Sequence, residues 1–445
     1  MVFNPKDLRR FSSPRKGTFK KSILMSERKK LKNGLTIVSE NIPFFPSVTA
    51  GIWLKGGSRT EKESENGITH FIEHLLFKGT KELSYSQIYK TFDRMGGAID
   101  AFTSREMMGF YLRVQKKNFE EAFNLLCQMV IHPAFKEEEI ERERGVILEE
   151  INMVKDNPSE FAVDLFMENV YKGNALSLPI QGKEKSVKQI KRKQILQRHR
   201  ELISPSNIII TATGEITLKE IEESFKKYSG ELCDQRRYRF EEAKFQPGIK
   251  SYQNNHLEQT QIIIAFESEK ASSEKRSILT VMANILGGTM SSRLFTEIRE
   301  KLGLVYNISA DNIGQFDTGL FAIQAASSNE NASKTIKEII KVLYDFCEKG
   351  TSKEEIEIAK ENLIGGTILS LESTSARMGR LARDEIYFGK PLPIENLLNG
   401  IEKVKETEIL KCARYIFNPK RMNIAILGEK QSLKGIDFSI LDRKW

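Results

Sequence analysis

The stretch Gly67-Ile68-Thr69-His70-Phe71-Ile72-Glu73-His74-Leu75-Leu76-Phe77 holds two of the five histidines in the chain, four residues apart. Gly67 to Thr80 reads as a helix. On a helix of 3.6 residues per turn, positions 70, 73 and 74 share one face, so two imidazoles and a carboxylate point into the same space. Zinc accepts imidazole nitrogen at about 2.0–2.1 Å, and a catalytic zinc site usually has three protein ligands. His70 and His74 supply two, which leaves Glu73 free to work on a water. With histidine this scarce, the pattern HxxEH is expected by chance in roughly one such chain in two hundred. His132, His199 and His256 have no partner at ligand spacing and read as surface or core histidines.

Outward from this stretch, Leu35 to Val38 and Val48 to Leu54 precede it as short strands. Tyr85 to Met95 follows as a helix, Gly96-Gly97 as a break, and Ala98 to Val114 as a hairpin turning at Thr103-Ser104. Phe119 to Ile131 is a helix ended by His132-Pro133, because a residue before proline is pushed out of the α region. Glu137 to Val154 is a Glu-rich helix that stops before Asn157-Pro158, and Ile208 to Thr213 is a buried strand. Strands, then helices, then a returning strand imply α+β layers.

A third ligand must come from elsewhere, and the Glu-rich helix offers many carboxylates. Glu143 and Glu150, seven apart, lie within about 20° of each other around the helix, whereas Glu149 points about 100° away. One of the pair can bind metal while the other orients a histidine.

The second half replays the order of the first. Thr260 to Phe266 is a strand, Ser277 to Leu286 a helix, Gly287-Gly288-Thr289 a break, and Tyr306 to Asp311 with Gly319 to Ala326 a hairpin. Lys334 to Phe346 and Lys353 to Leu371 follow as helices. An offset of about 209 residues aligns Phe77 to Thr80 with Leu286 to Thr289, and one of about 216 aligns Ile140-Glu141 with Ile356-Glu357. The expectation is a duplicated unit of about 200 residues: a leader (1–30), a metal-bearing domain (31–228), a linker (229–250) and a second domain (251–445). His70, Glu73 and His74 then correspond to Leu279, Met282 and Ala283, and Glu143 and Glu150 to Ala359 and Gly366. The second copy has none of the metal-site groups, so its expected role is to close over the substrate.

Composition narrows the function classes. The 445 residues are 40% hydrophobic and 29% charged, which excludes disorder and collagen-like character. No apolar run approaches the ~18–20 residues that cross a bilayer, and no early apolar stretch is long enough to read as a secretory h-region, so export by a standard signal peptide is not expected. Of the net charge of +9, +8 falls in residues 1–30, ten cations against Asp7 and Glu27. That placement argues against a nucleic-acid-binding body. It fits a solvated tail on a cytoplasmic protein or a targeting segment for the mitochondrial matrix. Cys127, Cys233, Cys347 and Cys412 form no CxxC pair and read as buried thiols of a reducing compartment.

His70 to His74, followed by Glu150 within Glu143-Arg144-Gly145-Val146-Ile147-Leu148-Glu149-Glu150, resembles the inverted zinc signature of the pitrilysin/insulinase metallopeptidases. The resemblance is strongest to the branch containing the catalytic subunit of mitochondrial processing peptidase and its bacterial relatives. It extends over about residues 30 to 430 through Gly96 to Ser104, Gly287 to Phe295 and Arg299 to Tyr306. It implies two domains, each a mostly antiparallel sheet with helices packed on it, enclosing a cleft. It also implies one Zn²⁺ held by His70, His74 and Glu150, with Glu73 as the base and Glu143 in support. Asp100, Ala101, Phe102 and Thr103 match the edge strand on which the family lays its substrate, although Asp100 stands where many relatives have asparagine. Arg299 and Tyr306 match an Arg and Tyr that reach the cleft from the second domain. The implied activity is endopeptidase cleavage of peptides or unfolded, presequence-like segments, by a homodimer or a heterodimer with an inactive sister chain. The alternative is a non-catalytic subunit of a larger assembly with the same fold.

Overall fold

The computed structural model describes residues 26–232 and 241–430. Most of the basic leader, Cys233 and much of the expected linker lie outside the described residues. In the first half, strands β1 (Ser26–Lys30), β2 (Thr36–Asn41), β3 (Ser47–Lys55), β4 (Ala98–Thr103), β5 (Met107–Gln115) and β6 (Ile208–Gly214) form a sheet in the order β1-β2-β6-β3-β5-β4. Its helices are α1 (Ile68–Leu76), α2 (Tyr85–Met95), α3 (Phe119–Ile131), α4 (Glu137–Asp156), α5 (Pro158–Val170), α6 (Glu184–Gln189), α7 (Arg192–Leu202) and α8 (Leu218–Ser229). The second sheet contains β7 (Gly248–Gln253), β8 (Gln259–Ser268), β9 (Val305–Gly314), β10 (Gly319–Ser328) and β11 (Met422–Gly428), in the order β7-β11-β8-β10-β9. With it go α9 (Arg276–Ala283), α10 (Ala332–Lys349), α11 (Lys353–Ser370), α12 (Thr374–Phe388), α13 (Ile394–Glu402) and α14 (Glu406–Ile416).

The two sheets repeat one topology. β2, β6, β3, β5 and β4 occupy the places of β7, β11, β8, β10 and β9, and the one parallel neighbour pair in each, β2–β6 or β7–β11, falls at the same place. β1 is an addition at the edge of the first sheet. Here the expected leader needs correction: Ser26–Lys30 pairs antiparallel with β2 and Arg28 bonds to Glu385, so its last five residues are part of the sheet. The expected linker likewise runs into β7, which begins at Gly248, and Ala243 within it is buried.

Each sheet is covered on both faces, which explains its nearly unbroken apolar strands. In β8, Ile262, Ile264 and Phe266 face a core shared with α9, α10 and α14, while Ile263 and Ala265 face the other way. That other face is covered by α5, a helix of the first half, through Ala162, Phe166, Met167 and Val170. The exchange is reciprocal. Met378, Ala382 and Ile386 of α12 lie on Trp53, Met107 and Ile209 of the first sheet. Polar bonds fix the seat, with Thr213 Oγ1 donating to Thr374 O at 2.7 Å and Arg377 pairing with buried Glu40 at 2.9 Å. The exchange begins where Asn157 ends α4 and caps α5 by accepting from Ser159 N, with Pro158 at the first helical position.

The first helix stops at Leu76, short of the expected Thr80, because Gly79 takes a φ of 125° and Thr80 bridges to Pro133. The expected Ser277–Leu286 helix is α-helical only to Ala283, beyond which it widens into a π-type turn. Among the described residues no helix is long and apolar enough to cross a membrane.

Candidate metal centre

α1 is built to hold polar groups beside a core. Ile68, Phe71, Ile72, Leu75 and Leu76 are buried on one face, leaving His70, Glu73 and His74 on another. Gly67, at φ 93°, starts the helix without a capping side chain of its own. The buried Glu61 carboxylate does that work, accepting from Gly67 N and Thr69 N, both at 2.8 Å. A negative group at a helix N-terminus satisfies free N–H groups and complements the helix dipole. Burial nonetheless raises the Glu61 pKa, against the pull of Arg198 and these hydrogen bonds.

α4 crosses α1 and brings Glu150 to the histidines. Its Oε1 lies 3.6 Å from His70 Nε2 and its Oε2 3.5 Å from His74 Nε2. The donor atoms of His70, His74 and Glu150 all fall within 4.8 Å of one another. Glu143, one helical face with Glu150, is buried and sits 3.2 Å from His74 Nδ1, with its other oxygen 2.7 Å from Lys78 Nζ. Glu149 is exposed. Burial lowers the His70 pKa, which keeps that imidazole neutral. Burial also acts on His74, but Glu150 and Glu143 outweigh it and raise its pKa. The bond to His74 holds Glu150 below the usual carboxylate range. Two imidazole nitrogens and an ionised carboxylate on one point, with one histidine anchored through its second nitrogen, fit a zinc ion in donor chemistry and in support.

Glu73 faces the same space from α1. Thr103 Oγ1, at the end of β4, donates to its Oε2, and burial raises the Glu73 pKa against that bond. The sequence reading did not foresee this contact. Its one available signal was the two-residue alternation of β4, which puts Thr103 with Ile99 and Ala101 on the face toward the core shared with α1. Asp100 and Phe102 project from the opposite face. Asp100 accepts from Tyr111 OH at 2.9 Å, and Phe102 packs edge-on against Trp53 at 5.8 Å. Arg299 and Tyr306 meet each other, the guanidinium 5.5 Å from the ring centre, and no described hydrogen bond or ion pair joins them to the histidines. Tyr306 is 79% exposed, and Arg299 pairs with Glu300 at 2.7 Å.

A mostly antiparallel two-sheet duplication with a histidine–carboxylate group in one copy defines a class, and comparison with known proteins identifies it. The model of the insulinase family, peptidase family M16, matches residues 36–184, and that of the peptidase M16 inactive domain matches residues 189–363. The chain belongs to peptidase family M16, the insulinase family. It is 32% identical over 401 residues to a Bacillus subtilis (strain 168) protein named as the uncharacterized zinc protease YmxG, covering 88% of this chain and 96% of that one. A Rickettsia bellii (strain RML369-C) protein, also named a zinc protease, is 34% identical over 400 residues, covering 90% and 96%. Family and names together indicate a zinc protease. The fold is shared with a crystal structure of a Helicobacter pylori protease, with a TM-score of 0.86 at 22% identity, covering 91% of this chain and all of that one. A Pseudomonas fluorescens structure titled as a peptidase M16 inactive domain gives a TM-score of 0.86 at 19% identity, covering 92% and 98%.

Proposed function

We propose that the chain is a zinc-dependent endopeptidase acting on short or unfolded peptides, with His70, His74 and Glu150 as the metal ligands. The observation that carries this reading is the meeting of those three donor groups beside a carboxylate, Glu73, that is held by a different partner. Held by these residues, a zinc ion would supply Lewis-acid chemistry, polarising a peptide carbonyl and lowering the pKa of water towards ~7. Glu73 accepts the proton of the attacking water and returns it to the departing amine nitrogen, a contribution of about 10²–10⁴-fold. Its raised pKa, set by burial, suits a group that must both take and release a proton. Glu143, backed by Lys78, fixes the ring orientation of His74.

β4 is an edge strand, so its outer N–H and C=O groups can pair with an extended peptide along Asp100 to Thr103 whatever the peptide's sequence. That favours unfolded or presequence-like segments. The exposed Tyr306 hydroxyl, beside Arg299, donates to the developing oxyanion when the second half closes over the peptide. One such donor group among the described residues supports one zinc per chain. In this division the zinc domain runs from β1 at Ser26 to α8 at Ser229, and the closing domain begins with β7 at Gly248. The resemblance further implies a dimer, with itself or with a sister chain, which sedimentation of the purified protein tests. A purely structural subunit has no need of a neutral histidine, an ionised glutamate and a buried proton acceptor in one place.

The ligand set is tested by zinc titration. Glu150→Gln weakens zinc binding far more than Glu149→Gln, since Glu149 is exposed and turned away. The reverse order removes Glu150 from the ligand set.

A further inference from the structure

The turn between β4 and β5 carries two charged residues where a hairpin tip would ordinarily be solvated, and both reach into the seam between the two halves. Arg105 pairs with Asp164 of α5 at 3.6 Å and donates to Leu176 O at 3.1 Å. Glu106 is only 5% exposed and accepts four hydrogen bonds from three donors. Arg59 Nη1 lies at 2.6 Å, Phe316 N at 2.9 and 3.2 Å from the two oxygens, and Tyr387 OH of α12 at 2.8 Å. Arg59 goes on to Asp317 in the β9–β10 turn and to Glu241 O.

The turn and the segment 56–59 form one body. Gly56 N donates to Glu106 O at 2.9 Å, Ser58 N to Ser104 O at 3.0 Å and Arg59 N to Arg105 O at 2.7 Å. A Cβ on Gly57 would stand 2.1 Å from Ser104 O, so glycine is what lets the two backbones approach this closely. Just before the turn stands Thr103, whose hydroxyl holds Glu73. β4 has a single ladder neighbour, so the position of its last residue is set by β5 and by the turn.

We propose that Glu106 is a positioning residue for Glu73, acting through the turn and Thr103, so that the second half aligns the proton acceptor of a site to which it contributes no metal-site group. This inference rests on the reading of Glu73 as the proton-transfer group. The buried Glu106 carboxylate gathers donors from the segment that follows β3, the β9–β10 turn and α12, and together they fix where the hairpin tip lies. If that set loosens, Thr103 shifts and the carboxylate it holds shifts with it. A misplacement of ~1 Å at a reacting group costs roughly 10²-fold in rate. The zinc ligands, carried on α1 and α4, are untouched.

The test is steady-state peptide hydrolysis by the full-length zinc protein with Thr103→Val, Thr103→Ser, Glu106→Gln, Tyr387→Phe and the combinations with Thr103→Val. Thr103→Val lowers kcat roughly 10- to 100-fold, as expected for a lost hydrogen bond to a charged group, and Thr103→Ser restores most of it. Glu106→Gln lowers kcat roughly tenfold with KM and zinc content unchanged, and it speeds amide hydrogen exchange across Ala98–Thr103. Tyr387→Phe, which removes one donor and keeps the ring, has a smaller effect in the same direction and decides the matter if Glu106→Gln does not fold. In the Thr103→Val background neither change lowers kcat further, because coupled positions are not additive. Wild-type kcat in Glu106→Gln or Tyr387→Phe, or losses that multiply with that of Thr103→Val, overturns the inference. Glu73→Gln run alongside separates the two claims. Full activity in that variant removes the proton-transfer reading itself, whereas an inactive Glu73→Gln beside a fully active Glu106→Gln removes only the coupling.

Discussion

α1 and α9 hold equivalent places in the two halves: each follows the long second strand of its repeat and packs against a long helix, α4 or α11. In α1 the positions beside the core face are His70, Glu73 and His74. In α9 they are Leu279, Met282 and Ala283, with Leu279 and Met282 wholly buried. Across from them, Glu143 and Glu150 of α4 give way to Ala359, 1% exposed, and Gly366 of α11. One backbone arrangement therefore serves either as a polar site or, at Leu279, Met282 and Ala359, as more core, while Gly366 is exposed. The polar version is the costly one, since buried polar and charged groups must be matched. The first half supplies that matching through Glu61 at the start of α1, Lys78 and Glu143 behind His74, and Thr103 on Glu73. α9 has no side-chain cap and needs none of these. The copy without the histidine–carboxylate group gains apolar burial at Leu279 and Met282.

The sharpest way to break this contrast is within α1. His74→Ala removes a proposed ligand and should abolish both zinc binding and hydrolysis. Glu73→Gln should keep the zinc while hydrolysis falls by at least ~10²-fold. Metal analysis showing that Glu73→Gln strips zinc while His74→Ala keeps it would reverse the roles.

Next in size is the separation of the halves. Because α12 covers Trp53, Met107 and Ile209, and α5 covers the second sheet, a fragment ending at Ser229 loses the cover on one face of its sheet and bares its own α5. Each large side chain left uncovered costs about 1.5–3 kcal/mol, so a few of them rival the ~5–15 kcal/mol that stabilise a whole domain. Neither fragment alone should melt cooperatively, and mixing them should restore a transition and activity. A lone first half with the melting temperature of the full chain contradicts the exchange as a stabilising device.

A smaller effect lies in His199, buried behind the site helix with Nε2 donating to Val130 O at 2.7 Å. Burial, aided by His132 and Arg200, pushes its pKa down to about 4. Between pH 6.5 and about 4 the unfolded chain takes up a proton that the folded chain refuses, so stability falls as pH drops through that window and levels off below it. The loss should be on the order of 3 kcal/mol at pH 4 relative to pH 7. Denaturant unfolding of the wild type and of His199→Gln at the two pH values measures it; equal losses in both would show that His199 is not the cause. The smallest effect is expected at the silent counterpart of the site. Met282→Leu keeps the volume and should cost less than about 1.5 kcal/mol, with hydrolysis unchanged. A large loss of activity there would mean that α9 is more than core.

The sequence carried the class of fold because its signals are local. Helical periodicity in Phe119–Ile131 and the proline rule at His132-Pro133 place α3 to the residue, and offsets of about 209 and 216 residues reveal the repeat that the matching sheet orders display. The nearness of His70, Glu73 and His74 is local too, since four residues make one helical turn. Tertiary structure alone decided what lies across chain distance. The apolar stripes of α5 and α12 announce burial but carry no address, so nothing in them says that each covers the other half's sheet. The meeting of Thr103 with Glu73, and of Glu106 with Arg59, Phe316 and Tyr387, joins residues up to 281 positions apart. A charged or hydroxyl side chain looks the same in sequence whether water or a buried partner answers it, and only the packing of both sheets selects the partner.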